Sequence, residues 1–157
     1  MRISFVEVVL LLAAAAIATT ALPRCTGSRL ALVRARWDLT PGVLNPAVTQ
    51  ATVGRTICRR GWTRTIRPPT TYTNALKRRG LEQYGLRGPS SSFQEDHLIS
   101  LELGGDPSDP RNLWPEPYPR AADVDRIEND LNRRVCAGSL SLAEAQRRES
   151  ALKHASG

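Results

Sequence analysis

His97 is the side chain in this sequence best suited to moving a proton. An imidazole titrates near neutral pH, so it can take a proton from water. Asp96 stands directly before it, and residues 93–114 add further oxygen donors, Asn112 among them. Asp96, Asn112 and a carboxylate from a later helix are hard ligands of the kind magnesium prefers. A cation held by them would offset the charge that builds on a leaving phosphate oxygen, while His97 activates the attacking water. The pattern points to metal-assisted hydrolysis. The competing interpretation is a structural histidine on a half-buried strand, and geometry decides between the two. Adjacent side chains on a flat strand point to opposite faces, so Asp96 and His97 share a site only where the strand bends or bulges.

The elements that must position these groups follow from local patterning. The apolar/polar run around Asp96 and His97 reads as a strand, and Gly104, Gly105, Pro107 and Pro110 mark a turn. Ordered structure resumes at Asn112, Leu113 and Trp114, with Trp114 expected in the core. Pro115, Pro117 and Pro119 are expected to forbid regular pairing and to form a stiff corner. A helix is expected from about residue 121 to 135, with Val124, Ile127, Leu131 and Val135 on its inward face. Ser141 and Glu144 form a capping box that opens a last helix to about His154. In it, Arg147, Arg148 and Lys153 read as solvated, and His154 as part of a frayed tail. Upstream, Thr73 caps a helix running to about Tyr84, which Gly80 weakens by about 1 kcal/mol relative to alanine. Residues 48–58 are rich in β-branched side chains, although Thr49 to Val53 also fits a short helical turn, and residues 58–67 read as extended segments over the core. Residues 29–37 fit either a strand or a lead-in.

Composition sets outer bounds. The 157 residues suit one domain, and the formal net charge is +7, carried mainly by arginine. Such a surface attracts polyanions, nucleic acid or anionic membrane, although it also serves simple solubility. Residues 1–21 read as a signal peptide: Arg2, an apolar run from Val8 to Ala18 too short to span a bilayer comfortably, and small residues at the cleavage site. Residues 22–45 form a lead-in, and 46–157 a single domain. Export implies an oxidising compartment, secreted or periplasmic, with no stable membrane association after cleavage. Of the three cysteines, Cys58 and Cys136 both end apolar runs and read as buried in a core, so they are paired, leaving Cys25 free or removed by later processing. Lys77, Arg78, Arg79 and Arg111 are candidate phosphate contacts, with a merely solvated face as the alternative for the Lys77 cluster.

The string Asp96-His97-Leu98-Ile99, then Gly104-Gly105, then Asn112-Leu113-Trp114, resembles the HNH nucleases of the ββα-metal superfamily. The likeness of residues 72–138 extends to small exported bacterial proteins with that core. The resemblance implies an α+β fold: a ββα-metal core of hairpin plus helix, with flanking helices and an irregular N-terminal wrap. It implies His97 as general base, Asp96 as the neighbouring metal ligand, and Asn112 as the middle asparagine that orients the site or contacts the metal. The cofactor implied is a divalent metal, Mg2+ foremost, with Mn2+ or Zn2+ as alternatives. The third position departs from the family's usual His or Asn, and no zinc-binding cysteine pairs occur.

Helical geometry narrows the third ligand. At 100° per residue Glu128 lies about 55° from the inward direction, Asp123 about 85° on the other margin, Asp125 and Asp130 more than about 100° away, and Asn129 almost outward. Glu128 is therefore expected first, then Asp123, with Asn129 favoured by the family pattern. The resulting expectation is an exported metal-dependent endonuclease acting on DNA or RNA with low sequence specificity. The alternative is a secreted, disulfide-stapled nucleic-acid- or polyanion-binding protein on an inactive HNH-like scaffold.

Overall fold

The structure, a computed structural model, describes residues 33–156. The expectations for the signal peptide and for Cys25 lie outside the described residues. The fold is α+β, built on one hairpin. β1 (Phe93–His97) and β2 (Leu113–Pro117) pair antiparallel from Phe93 opposite Pro117 to His97 opposite Leu113. The prolines do not forbid this pairing, contrary to expectation. The Leu98 N–H donates to the Asn112 carbonyl at 2.8 Å, which sets the parity of the ladder. By that parity Pro115 and Pro117 occupy positions whose missing N–H would face away from β1, so no ladder bond is lost.

The turn between the strands is held closed by Asn112. Its side chain is fully buried and saturated. Oδ1 accepts from the Ile99 N–H at 2.9 Å, and Nδ2 donates to the carbonyls of Ile99 and Asp106 at 3.0 and 2.9 Å. Gly105 makes this approach possible, because a Cβ there would lie 1.8 Å from the Ile99 carbonyl oxygen.

α2 (Thr70–Gln83), α3 (Tyr118–Cys136) and α4 (Leu142–Ser156) match the three expected helices, with the first two starting earlier. Pro119 sits in the first turn of α3, where a missing N–H costs nothing. Gly80 lets α2 close on β2: an added Cβ would stand 3.1 Å from Pro115 Cδ. The Glu144 N–H donates to Ser141 Oγ at 3.3 Å, as a capping box requires.

Two local expectations are corrected. Residues 62–66 form a short helix, α1 (Trp62–Ile66), rather than an extended piece. Gly61, at φ 82°, reverses the chain, and Trp62 then packs against the core beside Cys58. Residues 48–58 form turns and a 3-10 turn over Val53–Arg55, despite their β-branched side chains. There the Thr52 hydroxyl accepts from the Thr49 N–H and donates to the Ala47 carbonyl, both at 2.8 Å, which competes with any ladder. Residues 33–45 belong to the fold: Val33 and Ala35 are buried with Phe93, Leu98 and Trp114, and Leu44 bridges Gly105.

Two apolar clusters flank the hairpin. One gathers Val33, Ala35, Phe93, Leu98 and Trp114 with Leu81 and Tyr84 of the α2 region. The other joins Ile57, Ile99 and Leu103 to Leu131 and Val135 of α3 and to Leu142 and Ala145 of α4. The Cys58–Cys136 disulfide forms as expected, with Cα atoms 5.5 Å apart. It lies at the edge rather than in the core, with Cys58 half-buried and Cys136 exposed. Among the described residues no helix is long and apolar enough to cross a membrane.

Candidate active site

β1 keeps a regular register with no bulge, and the chain bends only beyond it, at Leu98 and Ile99. Because His97 is the last paired residue, it and Asp96 both reach one cleft of about 380 Å³. α3 contributes Asp125, Glu128 and Asn129 to the same cleft, and Arg67, Glu95 and Glu102 add to its polar wall.

The His97 ring is buried, with Nε2 3.0 Å from the Pro107 carbonyl oxygen. A carbonyl only accepts, so Nε2 carries the proton. Burial pushes the imidazole pKa below its usual value, with Arg67 and Lys153 adding to the effect against the Pro107 carbonyl and Asp96. The neutral ring then leaves Nδ1 as the nitrogen with the free lone pair, which is the state a general base requires.

Beneath the cleft lies Lys153, fully buried rather than solvated. Its Nζ is 2.9 Å from Asp96 Oδ2, 2.6 Å from Glu128 Oε1 and 3.5 Å from Glu149 Oε1, and it also donates to the His97 carbonyl. Burial opposes its charge, but Asp96, Glu149 and Glu128 together outweigh that and hold the ammonium protonated. The Glu149 carboxylate also accepts from the Ser100 N–H at 2.9 Å, which ties α4 to the loop after β1. Carboxyl groups outnumber the basic side chains here, and the crowding favours their protonated forms. Burial and the Asp96 charge push Glu95 up to about 8 and Glu116 up to about 7. Glu128 is pushed well up by burial, and Glu102 and Asp125 are raised chiefly by the same cause.

Asp96, His97 and Glu128 therefore converge, but Asn112 does not join them. Both ends of its amide are spent on the hairpin turn, so it holds the site's backbone in place and has no donor left for a metal. Glu128 turns inward further than expected. It is buried in place of Ile127, which is 38 % exposed. Asp123 is exposed and paired with Arg126. Asn129 lies at the cleft with its Nδ2 donating to the Asp125 carbonyl at 2.6 Å. Lys77 is committed to the fold, donating to the Phe93 carbonyl at 3.1 Å. Arg78 and Arg79 are exposed, and Arg111 forms a two-point pair with Asp109 at 3.0 and 2.6 Å. His154 is not frayed: it stacks on Trp37 with ring centroids 3.5 Å apart.

Sequence reasoning missed Arg67, Glu95, Glu149 and Lys153, and set Asp125 aside as pointing away from the core. Two signals pointed to some of them. Asp125, Glu128, Asn129 and Asn132 repeat at i, i+3, i+4 and i+7, a polar stripe beside the apolar one. Glu149 and Lys153 continue the one-sided spacing of Leu142 and Ala145, the other buried residues of α4.

Among the described residues no three His, Cys, Asp or Glu side chains gather at metal-holding geometry. The donors nevertheless fit a divalent cation in kind. They are hard oxygens, Glu95 Oε2 is buried without a partner, and an ammonium already bridges Asp96 and Glu128 as a metal ion would. Compared with known proteins, the chain matches no family model, no curated protein and no solved structure.

Proposed function

We propose that this chain is an exported phosphodiesterase that cuts DNA or RNA with little sequence preference. The observation that carries the reading is the fixed, neutral His97, with Nε2 on the Pro107 carbonyl, in one cleft with Asp96, Glu128 and Arg67. His97 Nδ1 takes a proton from water as the water oxygen bonds to phosphorus. The bond from phosphorus to the leaving oxygen breaks, and that oxygen takes a proton from solvent. Arg67 offers the phosphate a guanidinium, whose fork suits its oxygens. Asp96 and Glu128 would hold a divalent cation, which supplies charge neutralisation at the phosphate when bound. Export rests on the apolar N-terminal sequence and on the disulfide, which an oxidising compartment preserves.

The test is incubation of the purified protein with plasmid and with RNA, in magnesium, manganese, zinc or a chelator. Cleavage is expected with a cation and none with chelator. A second reading, a polyanion-binding protein on the same scaffold, is favoured by Lys153, which already gives Asp96 and Glu128 a cationic partner. Binding in every condition with cleavage in none would select it.

A further inference from the structure

Arg55, Arg59, Arg60, Arg64 and Arg67 fall between residues 55 and 67, a stretch with no carboxylate. All five are exposed, and none forms an ion pair within 4.0 Å among the described residues. Along α3 and α4 the arrangement is the opposite: Arg126, Arg133, Arg147 and Arg148 each meet a carboxylate about one turn away. The segment is also firmly held. The disulfide fastens Cys58 to α3, the Cys58 N–H donates to the Val53 carbonyl at 3.0 Å, and the Trp62 N–H donates to the Arg59 carbonyl at 3.0 Å. Arg59 and Arg60 line a cleft of about 530 Å³. Glu102 borders both that cleft and the one holding Arg67, Asp96 and His97, so the two depressions adjoin.

We infer that this segment is the nucleic-acid grip: Arg59, Arg60 and Arg64 hold backbone phosphates, and the strand continues past Glu102 to Arg67 and His97. The inference rests on the phosphodiesterase reading for the end point of the track, not for the binding itself. Unpaired guanidiniums on a rigid backbone lose little freedom on meeting phosphate, and phosphate contacts carry no sequence information. A nucleic acid fits better than an anionic membrane because the track descends into two clefts, which a strand can enter and a headgroup surface cannot. The grip is therefore the segment before α2, not the expected Lys77–Arg79 cluster, whose lysine is already bonded to the Phe93 carbonyl.

The experiment measures binding of the full chain to labelled single-stranded and duplex DNA, in chelator so that nothing is cut, across a range of salt. The triple variant R59A/R60A/R64A should bind at least tenfold more weakly. Its slope of log affinity against log salt should fall by roughly two to three, at about 0.7–0.9 per lost phosphate contact. R78A/R79A should bind like the wild type. If the triple variant does not fold, Arg59→Ala and Arg60→Ala singly should each lower the slope by about one contact's share. The inference is overturned if these variants bind unchanged, if R78A/R79A loses the affinity instead, or if the wild type binds phosphatidylglycerol vesicles and not DNA. Binding that depends on these arginines without cleavage under any cation would defeat the phosphodiesterase reading alone. Cleavage with arginine-independent binding would defeat the grip alone.

Discussion

Two clefts meet at Glu102, and they are made in opposite ways. The cleft of His97 has walls from β1 and α3 and a floor on Lys153, so its polar groups are held by the fold's own interior. The cleft of Arg59 and Arg60 lies on a segment of turns and one short helix, with a covalent tie to α3. Carboxylates dominate the first and free guanidiniums the second. Groups that must keep sub-ångström relations benefit from burial and saturated bonds, although burial shifts their pKa values and demands partners. Groups that only attract a polyanion work best exposed and unpaired. They need a fixed backbone rather than a core, and a disulfide supplies one cheaply in chain length.

The comparison can be broken first at His97. His97→Gln keeps an N–H donor for the Pro107 carbonyl but removes the base. Cleavage should fall on the order of 10²–10⁴-fold while DNA affinity in chelator stays at the wild-type value. A variant that cuts normally would remove His97 from the chemistry.

The second break is at the floor of the acidic cleft. Lys153→Met leaves Asp96, Glu128 and Glu149 without their cation, and loss of one partner from a buried ionic cluster costs about 3–5 kcal/mol. Urea unfolding measures this. Added magnesium should restore part of the loss, because Asp96 and Glu128 would then take the metal in place of the ammonium. Recovery that chelator fails to reverse would argue against those two as ligands.

The basic cleft is tested through its staple. Replacing Cys58 and Cys136 by serine opens a loop whose ends lie 78 residues apart. Chain entropy puts the cost at up to about 4.5 kcal/mol, and about 2–5 kcal/mol is usual for small secreted domains. DNA affinity should fall along with stability, since the arginines lose their anchor. Unchanged affinity would show that the staple serves stability only.

The smallest effect concerns pH. Glu116 is fully buried, with Oε2 accepting from Gln94 at 2.8 Å and Oε1 unpartnered. Its pKa rises to about 7 in the fold from 4.5, so the folded protein binds the extra proton between those values. Stability should therefore fall as pH rises from 4.5 toward 7, and Glu116→Gln should flatten that part of the profile. Urea midpoints measured at several pH values check the slope. An equal slope in the variant would assign the effect to other groups.

The sequence alone determined the frame: hairpin, three main helices and disulfide pairing. Those features are local or periodic. Turn residues, a capping box and 3.6-residue spacing each act within a few positions, and three cysteines leave few pairings. What needed the tertiary structure was every assignment that depends on another element's approach. Lys153 looked solvated because lysine seldom lies buried without partners, and its partners come from β1 and α3. Pro115 and Pro117 looked like breakers because the edge they face cannot be read from one strand. Asn112 looked like a ligand until the Ile99 and Asp106 backbone claimed its amide. Residues 62–66 looked extended until Gly61 turned the chain and Trp62 found the core. Local signals fix which elements form, whereas the charge state and partner of a buried polar group are settled only when separate elements meet and exclude water.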